Sequence, residues 1–323
     1  MGQRVSVALI TFDSAQYLRR CLAGIAQQRD VEISLIVVDN ASRDASVEIV
    51  RASKPDATVI LNDVNRGYSA AVNQALLEAD GEFVLFLNPD VFLQPDYLSL
   101  TVAALREGGE AFGSATGKLL RGTGPDISPT GLIDSKGIRM TRSGRHLDIG
   151  AGLPDDGMEW GPHEVFGVSG AAAVHKTSFL RDVAIGGETL DEDFFAYRED
   201  ADLAWRGRLL GWRALYVPSA LAYHVRRVTP AVRRTLPPEL NRHSVKNRFL
   251  LRLKNEGWLL ALRNAPFELA RDLIVLGAAL TVERTSLPAF VWLWRERKRL
   301  LARRRAVQSR RRVRDADLAR WFR

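Results

Sequence analysis

The 323-residue chain contains one cysteine, Cys21, which excludes an internal disulfide and fits a reducing compartment. Within "YLRRCLAGI" it reads as a small buried apolar residue rather than a reactive thiol. No uncharged apolar run is as long as the ~18 residues that a spanning helix needs. No charged-then-apolar leader opens the chain, so "RVSVALI" is expected to enter the fold directly, and the match of "MGQRVS" to an N-myristoylation pattern reads as chance. Solenoid-like repeats are absent. The chain carries little charge imbalance as a whole, a net of +8, but that average hides a division. Residues 229–323 hold 23 Lys+Arg and 8 Asp+Glu, a net of +15, which leaves residues 1–228 at −7. An acidic body with a basic tail implies two kinds of partner, the tail's being anionic.

What is present is a rhythm. "VSVALI" (5–10), "ISLIVVD" (33–39), "ATVIL" (57–61) and "FVLFL" (83–87) read as strands buried on both faces. Between them, residues 15–28, 44–53 and 68–80 place apolar residues at helical spacing. Such alternation predicts a parallel α/β sheet, with ligands at the carboxyl ends of its strands. Loops holding Thr11, Phe12 and Asp13, then Asp39 and Asn40, then Asn88 and Asp90, fall at those ends. From about 108 to 164 the pattern loosens into Gly, Pro, Ser and Asp, which predicts long loops with a few short strands. "EVFGVSGAAAVHK" (164–176) and "WRALYVP" (212–218) are further strands. Beyond Thr229 the chain reads as amphipathic helices rich in Trp and Arg, suited to a membrane interface. The division expected is 1–228 and 229–323.

Chemistry-bearing residues cluster in short motifs. Asp39 closes a buried strand, where a carboxylate can accept a hydrogen bond from a base imide or a ribose hydroxyl. Asp90 in "FLNPDVFLQPD" offers a hard oxygen ligand for Mg²⁺ or Mn²⁺. "FFAYREDADLAWRG" (194–207) sets Glu199, Asp200 and Asp202 among apolar residues. Helix-start chemistry accounts for that charge in general terms, and a reactive carboxylate is the alternative.

The order of these pieces carries more than any one of them. "ITFDS" (10–14), "VVDNASRD" (37–44), "NRGYSAAVNQAL" (65–76), "FLNPD" (86–90), "FGVSGAAAVHKTSF" (166–179), "LDEDFFAYREDADLAWRGRLLGW" (190–212) and "VPSALAYH" (217–224) follow one another. In that succession the chain resembles the family 2 glycosyltransferases with the Rossmann-like GT-A fold, especially their rhamnosyltransferase-like branch. The resemblance covers residues 5 to about 225; beyond them the likeness to membrane-associated extensions is loose. It implies that Thr11 and Asp39 hold the nucleotide, with Arg66, Gly67 and Asn88 near the same pocket. It implies metal ligation by Asp90 and His224, with Mg²⁺ or Mn²⁺ as cofactor, and Asp200 as catalytic base. Glu199, Asp202 and Trp205 would lie on the acceptor side. The sequence departs from the family at Asp13, where Asn is usual, at Asn88, which removes a possible anionic ligand, and in "GGETLDEDFF", two residues longer than common.

The implied activity is inverting, metal-dependent transfer from a nucleotide-diphosphate sugar, dTDP-rhamnose favoured over UDP-sugars, to a lipid-linked or cell-surface glycan. The implied place is the cytoplasmic face of a bacterial cell membrane, held through the basic tail. A chain cut after Trp294 is expected to keep its donor site. A sugar nucleotidyltransferase is disfavoured, because "ITFDSAQYLRR" has no Gly-rich loop followed by a basic residue. Specific nucleic-acid binding is disfavoured too, because "RRRAVQSRRRVR" has no interleaved aromatics. His146, His163, His175 and His243 read as structural or exposed, and Asp191, Glu192 and Asp193 as a solvated loop or an acceptor approach.

Overall fold

The computed structural model describes residues 3–226 and 238–323. Strands β1 (Gln3–Thr11), β2 (Val31–Asp39), β3 (Thr58–Leu61) and β4 (Phe83–Leu87) alternate with helices α1 (Ala15–Ala26), α2 (Ser46–Ser53) and α3 (Tyr68–Glu78), as the sequence rhythm predicts. All four strands are parallel, β1 lying between β4 and β2, with β3 outside β2. Val5, Val7 and Leu9 of β1 enter one core while Ala8 and Ile10 enter the other. A two-residue period with apolar groups on both faces explains why these segments are continuously hydrophobic.

The second half of the sheet is built differently. Here follow β5 (Val91–Leu93), α4 (Tyr97–Glu107), β6 (Phe112–Thr123), β7 (Ser128–Ser135), β8 (Ile138–Met140), β9 (His146–Asp148), β10 (His163–Val165), β11 (Ala172–Lys176), α5 (Thr177–Val183), α6 (Glu199–Leu210) and β12 (Arg213–His224). β11 runs antiparallel between β4 and β6, and β12 is parallel to β6. The main sheet path is β10-β12-β6-β11-β4-β1-β2-β3, with β5 on β12 and β7 on β6. Helices α1, α2 and α4 fill one face, and α3, α5 and α6 the other.

The 108–164 stretch holds a twelve-residue strand, β6, at the heart of the sheet, where the sequence predicts loops and short strands. Its glycines mislead, because they serve close packing. A Cβ at Gly117 would stand 2.1 Å from the Ala220 carbonyl oxygen. Glycine inside a strand can mark just such an approach.

Beyond the sheet lie α7 (Pro238–Asn255), α8 (Trp258–Thr281), α9 (Leu287–Arg295), α10 (Arg297–Ser309) and α11 (Asp315–Leu318). The 228/229 boundary expected from composition lies outside the described residues. The helices are not a separate unit, however. Leu250, Leu251, Leu300, Val307, Leu318 and Phe322 share one buried cluster with Ile138, Phe166 and Trp205 of the sheet region. Among the described residues no single helix is long and apolar enough to cross a membrane; Trp258–Thr281 with Arg284–Arg295, bent by 111°, has the length and composition only as a pair.

Candidate active site

The strand ends meet where the sequence places them. Thr11 and Asp39 are register partners, and the Thr11 hydroxyl donates to Asp39 Oδ2 at 2.7 Å. Ser42 adds its backbone N–H to Oδ1 at 2.8 Å and its hydroxyl to Oδ2 at 2.6 Å. Three donors fix the carboxylate and leave one lone-pair direction open to a ligand. Asp13 accepts the Arg43 N–H at 2.8 Å, so this departure ties two loops together. Gly67 has φ +85, and a Cβ there would meet Phe195 at 2.6 Å; glycine is required by conformation and by space alike. Its carbonyl accepts from Asn40 Nδ2 at 3.2 Å. Arg66 is exposed beside it, and Asn88 is half-buried.

Asp90 and His224 are joined by topology, because β5 and β12 pair Val91 with His224. His224 Nε2 stands 3.5 Å from Asp90 Oδ1, and Nδ1 stands 2.8 Å from Asp134 Oδ2. Burial opposes a charge on His224, yet Asp90 and Asp134 on either side push its pKa up to about 10. Asp134 is itself buried; its hydrogen bond from His224 and the nearby Arg226 outweigh that burial and hold it down at about 2. Arg226 also reaches Asp148 at 2.7 Å. Histidines that bind metals commonly have one ring nitrogen oriented by a carboxylate, as Asp134 orients Nδ1 of His224. Among the described residues no three His, Cys, Asp or Glu side chains form a complete ligand set. Asp90 and His224 thus set one oxygen and one nitrogen donor side by side, residue types that suit a divalent cation.

Asp200 sits in the first turn of α6. Its Oδ1 accepts the Ala201 N–H at 2.7 Å and its Oδ2 the Gly170 N–H at 3.2 Å. Burial first, and Asp148 second, push its pKa up to about 6. Glu199 beside it is pushed to about 8 by burial and then by Asp200. Both line a pocket with Tyr68 and Gly170. Tyr68 donates to the Gly170 carbonyl at 3.2 Å. Its phenol is raised well above its ordinary pKa by burial and then by Glu199, Asp200 and Asp90. The Tyr68 phenol thus lies within electrostatic reach of the acid pair and of Asp90. A carboxylate poised near neutrality suits general-base work.

The chain reaches Asp200 through a strained turn. Phe195, Tyr197 and Arg198 have φ of +64, +69 and +73. Each costs about 1–3 kcal/mol and persists only where surrounding contacts impose it.

Two residues expected on the acceptor side are elsewhere. Asp202 is fully buried and bonds Arg206 at 2.8 Å, Lys254 at 3.0 Å and Asn255 at 2.7 Å. Two positions along the helix from Asp200, it faces α7 instead. Trp205 is also fully buried, between Phe166 and Phe322. It belongs to the core that joins the C-terminal helices to the sheet. Asp134, Asp148, Arg226 and Tyr68 carry no role in the sequence reading. No spacing signal links the first two to His224 or Asp200, because only the tertiary fold brings them together.

The 188–193 loop faces the basic tail rather than open solvent. Arg303 bonds Glu188 at 2.8 and 2.9 Å and lies 3.0 Å from Asp191. Arg299 grips Asp193 at 2.7 and 2.9 Å, and Arg310 and Arg312 meet Asp182.

Residues 6–123 match the family described as "Glycosyl transferase family 2". Over 244 residues the chain is 25% identical to the N-acetylglucosaminyl-diphospho-decaprenol L-rhamnosyltransferase of Mycobacterium tuberculosis H37Rv, covering 69% of this chain and 76% of that protein. It is 30% identical over 95 residues to the putative glycosyltransferase EpsH of Bacillus subtilis, covering 29% and 28%. Residues 1–349 of Staphylococcus aureus TarS with UDP-GlcNAc superpose at TM-score 0.57 and 18% identity, covering 98% and 90%. The mannosyltransferase PcManGT of Pyrobaculum calidifontis with GDP-Man and Mn²⁺ gives 0.54 at 19% identity, covering 99% and 88%. Fold, motifs and relatives agree: the chain carries a family 2 glycosyltransferase domain of the GT-A fold, similar to the rhamnosyltransferase branch.

Proposed function

We propose that the chain transfers rhamnose from dTDP-rhamnose to a lipid-linked glycan with inversion at the anomeric carbon, Asp200 acting as general base. The observation that carries this reading is Asp200 itself. It is half-buried, raised to about 6 and held by the Gly170 N–H, and it lines one pocket with Glu199 and Tyr68. Thr11, Asp39 and Ser42 would orient the nucleotide. Asp90 and His224 would hold Mg²⁺ or Mn²⁺, whose chemistry there is to offset charge on the departing diphosphate. Asp200 takes the proton of the attacking hydroxyl, typically worth ~10²–10⁴-fold. Single displacement then gives the opposite anomer.

The choice of rhamnose and of a lipid-linked acceptor draws support from the mycobacterial relative's name. UDP-sugars are the second reading, supported by the TarS complex with UDP-GlcNAc. The site of action we assign is the cytoplasmic face of a bacterial membrane. Support comes from α8, whose buried positions include Asn264 and Glu268 while Leu262, Leu269, Leu273 and Ile274 face outward. Arg284, Arg295 and Trp294 are exposed nearby in sequence, a composition suited to anionic head groups.

Incubation with dTDP-rhamnose, UDP-sugars and GDP-mannose, scored by nucleoside-diphosphate release, tests the donor. Release from dTDP-rhamnose that stops in EDTA and returns with Mg²⁺ or Mn²⁺ is expected. Release from UDP-GlcNAc alone would replace the sugar, and full activity in EDTA would remove the metal.

A further inference from the structure

The turn that delivers Asp200 is held from the C-terminal region by side chains of α7, Asn247 foremost. Asn247 of α7 is fully buried. Its amide nitrogen stands 2.8 Å from the carbonyls of Phe194, Ala196 and Tyr197, two N–H donors shared among three acceptors. All three partners are acceptors only, so the nitrogen must face them. Those carbonyls bracket the left-handed residues Phe195 and Tyr197 and lead directly to Arg198. Backbone groups turned inward by such a conformation have no helical partner, and the Asn247 amide supplies one. Neighbours on α7 add to the grip: His243 stacks on Phe195 at 4.7 Å and 13°, and Lys246 donates to the Asp193 carbonyl. On the opposite side the Phe195 carbonyl accepts the Ser69 N–H of α3 at 3.2 Å. The turn is therefore clamped between the nucleotide-side helix α3 and α7.

We propose that Asn247 is a positioning residue for glycosyl transfer, fixing the 194–198 turn so that the Asp200 carboxylate stands at its station beside Gly170. The C-terminal helices are on this account part of the catalytic apparatus and not only an attachment. The proposal rests on the reading of Asp200 as the base, and it extends that reading to a residue outside the family motifs. Asn247→Asp keeps the shape, removes both donors and sets a carboxylate against three carbonyls. Asn247→Ser keeps a smaller donor and covers the case in which the aspartate variant does not fold.

Hydrogen exchange by mass spectrometry reads the clamp without any turnover. Peptides spanning 193–201 should exchange about tenfold faster in the variant, with β1 to β4 unchanged. In the transfer assay kcat should fall about 100-fold, while dTDP affinity by calorimetry stays within about twofold. A double-mutant cycle separates positioning from general structural loss. In the Asp200→Asn background the Asn247 change should add less than about twofold, because its effect passes through the missing base. Unchanged exchange at 193–201 overturns the clamp. Unchanged kcat, or full additivity with Asp200→Asn, overturns the positioning role. If wild-type protein turns over no donor, the proposed function fails, and the exchange arm still decides whether Asn247 holds the turn.

Discussion

Helices α8 and α10, separated only by residues 282–296, invert what their compositions suggest. α10 carries Arg297, Arg299, Arg303, Arg304 and Arg305, yet Arg299 and Arg303 meet Asp193, Glu188 and Asp191 of the catalytic region. Part of the basic run that looks made for an anionic surface, Arg299, Arg303, Arg310 and Arg312, is engaged with the chain's own acidic body. In α8 the turned-in positions Asn264, Glu268 and Asp272 face Glu256, Arg248 and Arg252, while Leu273 is 69% exposed. Its outward face is the apolar one. A charge count gives the sign of a segment but not the address of its charges; only the packing does that. The expectation that the tail's arginines serve an anionic membrane is thus replaced, for those that pair, by an intramolecular role.

Deleting α10 and α11 would break the comparison most severely. Truncation after Trp294 removes Leu300, Val307, Leu318 and Phe322 from a shared core, at about 2–5 kcal/mol for each large side chain. No stable folded protein is expected, in contrast to the intact donor site that the motif positions alone suggest; soluble yield and thermal unfolding check it. A folded truncation with normal donor binding would restore the view of the tail as an appendage.

Asp202→Asn should come next. It leaves Lys254 and Arg206 facing a neutral amide in a buried site, a loss of about 3–5 kcal/mol in urea unfolding. Arg303→Ala should cost about 2 kcal/mol, less because its side chain is 22% exposed. At the small end, Leu273→Ser with Ile274→Ser should leave stability within about 0.5 kcal/mol yet reduce sedimentation with anionic vesicles at least ~tenfold. Unchanged vesicle binding there, with loss on substituting Arg297 and Lys298, would return the membrane role to the basic run.

Much of the sheet is legible in the sequence because its strands are apolar on both faces and its turns punctuated. β1 to β4, and the convergence of Thr11, Asp39 and Asp90, follow from that pattern. β6 is not legible, because Gly117 and Thr116 look like loop residues until Ala220 and Ala172 lie against them. Asp200 can be picked out by motif order, whereas Asp202 is misread because sequence proximity conceals a helical rotation toward Lys254. Asn247 gives no signal at all, since its partners are carbonyls some fifty positions away.

The protonation of Asp200 sets a pH dependence. With a pKa of about 6, the proposed base is ionised above that value, so kcat should fall as pH drops through about 6. Asp200→Asn tests the claim most directly, because it keeps the shape and removes the proton affinity. Measured at pH 7.5 with the donor that the panel selects, turnover should fall by about two orders of magnitude or more, while nucleoside-diphosphate affinity stays unchanged. Near-normal turnover in Asp200→Asn would contradict the account.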